Sequence, residues 1–175
     1  MALVLNATPL IYLARSGGLR ILKGLKTPIF MPRAVYDEVV VEGRKHGKPG
    51  AELVDQYVTE RVITVRSPSD TRVISSLVSK SPQGSHGPLD KGEAEVIALA
   101  QELNCPAVID EQAGRNVARL HGITVHGTVY LLVLSYKAGI IAKEEVLGLF
   151  RTMVEEGWRI SLEDYTAIME ELEKL

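Results

Sequence analysis

The sequence predicts an α/β domain: a central parallel sheet flanked by helices, with further helices at its C-terminal end. Three observations carry this prediction. Short apolar runs bounded by turn residues recur along the chain, as in strands buried on both faces. Helical patterns separate them, so strand and helix alternate through the first 138 residues. Hydrophobic residues make up 46% of the 175, which supports a sizeable core and excludes a disordered chain.

Ala2-Leu3-Val4-Leu5 is the first such run. Thr8-Pro9 offers an N-cap and a proline in the first helical turn, so a helix follows directly. Gly17-Gly18 interrupts it, and Leu19 to Leu25 makes another short helix. Pro28-Ile29-Phe30-Met31 reads as the second strand, and Pro32 opens a helix to about Glu42. Gly43 to Pro49 is basic and glycine-rich and reads as a loop. A helix over Ala51 to Thr59 and a strand over Val62 to Val65 follow. Residues 70–80 are weakly helical, and Ser81 to Pro88 has the composition of a mobile loop. Asp90 to Leu103 is the clearest helix, with Asp90 and Glu93 at capping-box spacing. Pro106-Ala107-Val108-Ile109 is a strand that ends at Asp110. Gln112 to His121 is helical, Ile123-Thr124-Val125 is a last strand, and Gly127-Thr128 opens an apolar helix through Lys137. Lys143 to Glu156 and Glu163 to Glu173 are amphipathic helices. Residues 1–138 are thus expected to form the α/β domain, and 139–175 a helical extension packed on it.

Composition removes several function classes. Net charge is -2, so any nucleic-acid contact must come from a local basic patch. Cys105 is the only cysteine, which forbids an internal disulfide, suits a reducing compartment, and reads as a small core residue. No apolar run reaches membrane-spanning length, and residues 1–13 lack the basic start of a signal peptide. A cytoplasmic location with no membrane partner is expected. His46, His86, His121 and His126 show no metal-ligand spacing. There is no dinucleotide fingerprint, P-loop or nucleophile elbow. At 5%, the aromatic content is too low to suggest an extensive base-stacking platform.

Parallel sheets bind ligands beyond the carboxyl ends of their strands. Asn6 ends the first strand, Asp110-Glu111 ends a later one, and nearby helices carry Asp37, Glu38, Glu93 and Glu95. Glu93 shares a helical face with Val96, Ile97 and Ala100, so it heads an apolar stripe. A carboxylate there needs a partner. Glu38 shows the same feature beside Ala34, Val35 and Val41, whereas Glu95 and Glu102 are expected nearer the outer face. Plainer readings stand beside these: Glu93 as capping-box acid, Glu38 as surface residue, Asp110 as cap of the next helix. Their joint placement favours convergence. Two carboxylates about 4 Å apart repel by roughly 1 kcal/mol in water and roughly 4 kcal/mol at an effective dielectric of about 20. Three or four together call for a shared proton or a hard cation such as Mg²⁺ or Mn²⁺.

Four stretches carry a resemblance: Val4-Leu5-Asn6-Ala7-Thr8-Pro9-Leu10-Ile11-Tyr12-Leu13, Pro32-Arg33-Ala34-Val35-Tyr36-Asp37-Glu38-Val39, Leu89-Asp90-Lys91-Gly92-Glu93-Ala94-Glu95-Val96-Ile97-Ala98-Leu99-Ala100 and Val108-Ile109-Asp110-Glu111-Gln112-Ala113-Gly114-Arg115. In order and spacing they resemble the successive motifs of PIN-domain proteins, in particular a prokaryotic subgroup described as nucleic-acid-binding. Gly127-Thr128 and Gly157-Trp158-Arg159-Ile160-Ser161 extend the resemblance over nearly the whole chain. It implies a parallel sheet between helices, an acidic Mg²⁺ or Mn²⁺ site, and a metal-dependent endoribonuclease acting on RNA. It also implies a toxin held by a small antitoxin, and a homodimer. By position Asn6, Glu38, Glu93 and Asp110 match the catalytic set, with Glu38, Glu93, Asp110 and Glu111 as metal ligands and Glu95 as the alternative to Glu93. Thr8 and Arg115 are the substrate-binding candidates. The departure is Asn6, where the family usually has Asp, so one negative charge is absent.

Arg115 and Arg119 lie four apart on one helix face, placed to meet substrate phosphates. Arg44, Lys45 and Lys48 form a second basic cluster, read either as solvated or as an RNA contact. Two further readings compete with the nuclease: a PIN scaffold that binds RNA or protein without cleaving, and a purely structural subunit.

Overall fold

Sequence position in the sheet follows apolar content. The completely buried strands are β1 (Leu3–Leu5) and β4 (Ala107–Val108), both wholly apolar and paired with each other inside the sheet. β2 (Ile29–Met31) lies beside β1. The edges are β3 (Ile63–Val65), which exposes Thr64, and β5 (Val125–His126). In this computed structural model, which describes residues 2–80 and 89–175 with the side chains of 78–80 left aside, all five strands are parallel. Their order is β3-β2-β1-β4-β5, with Leu3 paired to Ile29 and Leu5 to Val108. The segment expected as a mobile loop, Ser81 to Pro88, lies outside the described residues.

α1 (Ala7–Arg15) leaves β1 without a loop. Its N-cap is Asn6, in extended conformation, and not Thr8 as the sequence suggested. The Thr8 hydroxyl instead donates across the molecule to Glu111. A single 3-10 turn (Gly18–Arg20) and α2 (Ile21–Gly24) lead to β2. After Pro32 the helix changes character twice: α3 (Arg33–Tyr36), a π-helical stretch (Asp37–Glu42), then α4 (Gly43–Lys45). The expected loop therefore starts only after Lys45, because the wider π turn carries the helix past Gly43. α5 (Ala51–Thr59) and α6 (Thr71–Lys80) flank β3.

α7 (Lys91–Leu103) is the internal helix. Asp90 and Glu93 form the reciprocal capping box that their spacing predicts, and Asn104 closes the other end in the left-handed region. Gly92 through Ala100 are all buried, against β1, β4, α3, α6 and α8 (Gln112–Leu120). The last strand falls at Val125–His126, two residues beyond its expected start, because Ile123 N–H still closes α8 on Ala118 O. α9 (Thr128–Lys137), α10 (Lys143–Glu155) and α11 (Leu162–Glu173) complete the chain. Phe150 of α10 is fully buried and meets Trp158 edge-on at 5.9 Å, so these helices share the core of the sheet. Each fully buried side chain of this size contributes about 1.5–3 kcal/mol over its exposed state. Among the described residues no helix is long and apolar enough to cross a membrane.

Candidate functional site

The order of strands reverses at β1 and β4. Chains leaving these two strands diverge, and the crevice between their carboxyl ends is where parallel sheets bind ligands. Asn6 N–H donates to Val108 O at 3.0 Å, which sets Asn6 and Asp110 at the same edge.

Asp110 is fixed by the start of α9. Thr128 N–H donates to its Oδ1 at 2.8 Å and the Thr128 hydroxyl to its Oδ2 at 2.6 Å. Asp110 thus serves the second helix onward; the N-cap of α8 is Glu111. Burial pushes the Asp110 carboxyl up, the Thr128 bonds oppose that, Glu111 adds to it and Arg115 opposes it, with a net rise. Arg115 and Asp110 crowd Gly127, where a Cβ would stand 2.9 Å from Arg115 Nη1 and 3.0 Å from Asp110 Oδ1.

Glu93 is both capping-box acid and crevice acid. Asp90 N–H donates to its Oε2 at 3.1 Å, while Oε1 faces Gly114 of α8. A Cβ on Gly114 would lie 2.7 Å from that oxygen, so glycine is what admits the carboxylate. Burial pushes the Glu93 carboxyl up to about 7; the Asp90 hydrogen bond opposes this, and the charges of Asp90, Glu111 and Glu38 reinforce it. Glu38 reaches the same place from the π-helical stretch, with Oε2 at 3.6 Å from the position a Gly92 Cβ would take. It stands at the exposed rim. Partial loss of water raises its carboxyl, then Asp90 and Glu111 add to the rise, against Lys48. Glu111 closes the ring, accepting from Asn6 Nδ2 at 3.2 Å and from the Thr8 hydroxyl. Thr8, expected to touch substrate, is thus engaged with Glu111.

Glu95 is a correction. It is buried, only 6% exposed, and not on an outer face. Its Oε2 accepts from Ala34 N–H at 3.0 Å at the start of α3. It satisfies a helix end, and Lys91 Nζ stands 3.8 Å from its other oxygen. The basic stretch near Gly43 also differs from expectation: Arg44 is held by Glu52 and Asp55, and Lys45 by Glu42, so both charges are neutralised locally. Arg119 is exposed and donates to Asn116. Asp90 is the acid that sequence reading missed as a crevice member, because its capping role already explained it.

The donors around the crevice, Glu38, Glu93, Asp110, Glu111 and Asn6, are all oxygen, the chemistry that suits a hard divalent cation. Gly92 and Gly114 leave the room their carboxylates use. Among the described residues no three acids stand close enough to enclose an ion as they are. The donors fit the cation in kind, and closing on it requires side-chain movement.

Sheet order, crevice and acids define a doubly wound α/β protein with an acidic site at its switch point. The chain belongs to the PIN domain family: the family model matches residues 2–174. It is similar in fold to a PilT N-terminus domain protein from the hyperthermophilic archaeon Sulfolobus solfataricus P2, with a TM-score of 0.50 and 18% identity over 77% of this chain and 93% of that one. No curated protein matches the sequence.

Proposed function

We propose that this PIN domain is a metal-dependent endoribonuclease whose acid site is the β1–β4 crevice. The single observation that carries this reading is the gathering of acids there: the charges of Glu38 and Glu111 both act on Glu93, and that of Glu111 also acts on Glu38 and on Asp110. Structural caps alone do not require that gathering. Glu38, Glu93 and Asp110, with Glu111, would hold Mg²⁺ or Mn²⁺. Such an ion supplies charge neutralisation at a phosphodiester and a water more acidic than bulk.

The chain's own residues have distinct tasks. Thr128 keeps Asp110 oriented through two hydrogen bonds. Asn6 and Thr8 hold Glu111 by donating to both of its oxygens. Arg115, beside Asp110, meets the substrate phosphate. Burial pushes the Glu93 carboxyl up to about 7, so holding a cation there would require it to give up its proton. A small antitoxin partner, a homodimer and a cytoplasmic setting complete the proposal.

Single-stranded RNA incubated with the protein and Mn²⁺, beside Asp110→Asn, tests it. Cleavage by wild type and none by Asp110→Asn supports the nuclease. Equal cleavage by both points to a contaminant and sinks it. A second reading, a scaffold that binds RNA without cutting, is favoured by the missing charge at Asn6; RNA binding with no cleavage selects it.

A further inference from the structure

A cleft of about 470 Å³ adjoins Asp110 and is walled by α8, the start of α9 and the segment leading into α11. Arg115, Tyr130, Trp158 and Arg159 line it. This volume lies within the roughly 300–1,000 Å³ of small-ligand pockets.

Two cations face this hollow from distant parts of the sequence: Arg115, whose charge acts on Asp110, and Arg159. Arg20, Arg33, Arg44, Arg66 and Arg72 each have a carboxylate within 3.1 Å. Among the described residues no such partner stands by Arg115 or Arg159, nor by Arg15, Arg61, Arg119 or Arg151, but those four do not line the cleft. Arg115 makes one long hydrogen bond, 3.5 Å to Ile109 O. The acids of the wall are already engaged: Asp110 by Thr128, and Asp164 by the Ser161 hydroxyl at 2.7 Å in the first turn of α11. Guanidinium groups with no carboxylate in salt-bridge contact, on a concave wall, match a phosphate. Tyr130 is held flat against His126, with centroids 3.8 Å apart and planes 6° from parallel. A rigid aromatic beside two arginines suits an unstacked nucleotide, whose base is available only in a single strand.

We propose that this cleft takes one nucleotide of a single-stranded nucleic acid, with Arg115 and Arg159 on its phosphate and Tyr130 against its base. The inference rests on the nuclease reading and states where the strand lies beside Asp110.

Binding is measured with a short single-stranded RNA, and with DNA of the same sequence, in EDTA so that no strand is cut. Trp158 is the only tryptophan and lines the cleft, so its emission reports occupancy without a label. Arg159→Glu is expected to weaken binding by about tenfold or more, and Tyr130→Ala by several-fold. Arg151→Glu, at an exposed arginine on α10 outside the cleft, makes the same charge change and is expected to weaken binding far less. Either polymer showing this pattern supports the cleft, and the tighter one names the strand. Equal losses from Arg159→Glu and Arg151→Glu, or binding that leaves Trp158 emission unchanged, overturn it. RNA cleavage whose KM is unaffected by Arg159→Glu also overturns the cleft while leaving the nuclease standing. Cleft binding without cleavage does the reverse.

Discussion

Asn6 donates its side-chain amide to Glu111 Oε2 at 3.2 Å, across 105 positions of sequence. An aspartate at position 6 has no such proton to give. The end of β1 thus carries a donor, and the negative charge it meets belongs to Glu111, beside β4. Asn6→Asp sets two carboxylates against each other, which costs roughly 1 to 4 kcal/mol depending on the local dielectric. The expected result is a lower Tm in EDTA and a larger Tm gain on adding Mn²⁺ than in wild type, with tighter Mn²⁺ binding by calorimetry. An unchanged Tm and unchanged affinity would count against the pairing.

Gly114→Ala tests the close passage of α8 over Glu93. Helix propensity alone favours alanine by about 1 kcal/mol. Against that, the new methyl meets Glu93 Oε1 at 2.7 Å and Ile109 Cγ2 at 3.0 Å. Glu93 is anchored by Asp90 N–H and does not swing away freely. Overpacking of this kind costs about 1–3 kcal/mol, so a net loss of stability is expected in denaturant unfolding. A stabilised Gly114→Ala would show that Glu93 sits elsewhere.

The central features were legible in the sequence where the cause is local. β1 and β4 announce themselves by composition, and α7 by Asp90 and Glu93, because strand burial and capping depend on neighbouring residues. Glu95 was misplaced because a helical wheel assumes one solvated face, and α7 has Gly92 through Ala100 buried in succession. The bond from Thr8 to Glu111 and that from Thr128 to Asp110 depend on which strands lie side by side, which no local pattern encodes. The π-helical turn under Glu38 has no composition of its own. Arg44 reads in sequence as either solvated or RNA-contacting because its partners Glu52 and Asp55 come from the following helix, whereas Lys45 meets Glu42 only because the helix runs on through this stretch.

Glu93 and Glu95 separate by substitution. Glu95→Ala leaves Ala34 N–H without its acceptor and is expected to lose about 1–3 kcal/mol of stability while Mn²⁺ binding survives. Glu93→Gln is expected to do the opposite, weakening Mn²⁺ binding with a smaller cost in stability. Calorimetric titration and chemical unfolding of both variants decide it; loss of Mn²⁺ binding in Glu95→Ala would reverse the assignment.

Protonation of Glu93 gives a pH signature. Its folded value, about 7, lies above the ordinary 4.5. The folded protein therefore holds this proton more tightly than the unfolded chain does. The penalty is absent below about pH 4.5, grows as pH rises between the two values, and is complete above about 7. In EDTA the stability difference between Glu93→Gln and wild type is expected to shift in favour of the glutamine as pH goes from 5 to 8. A difference that stays constant over that range would contradict the raised value.

The acid site itself is tested most directly by titrating Mn²⁺ into wild type, Glu93→Gln and Asp110→Asn in one calorimetric series at pH 7.5. One hard-cation site is expected in wild type, with affinity reduced by about tenfold or more in each variant, since each loses one charged oxygen donor. Equal Mn²⁺ affinity in all three would contradict the crevice between β1 and β4 as a metal site.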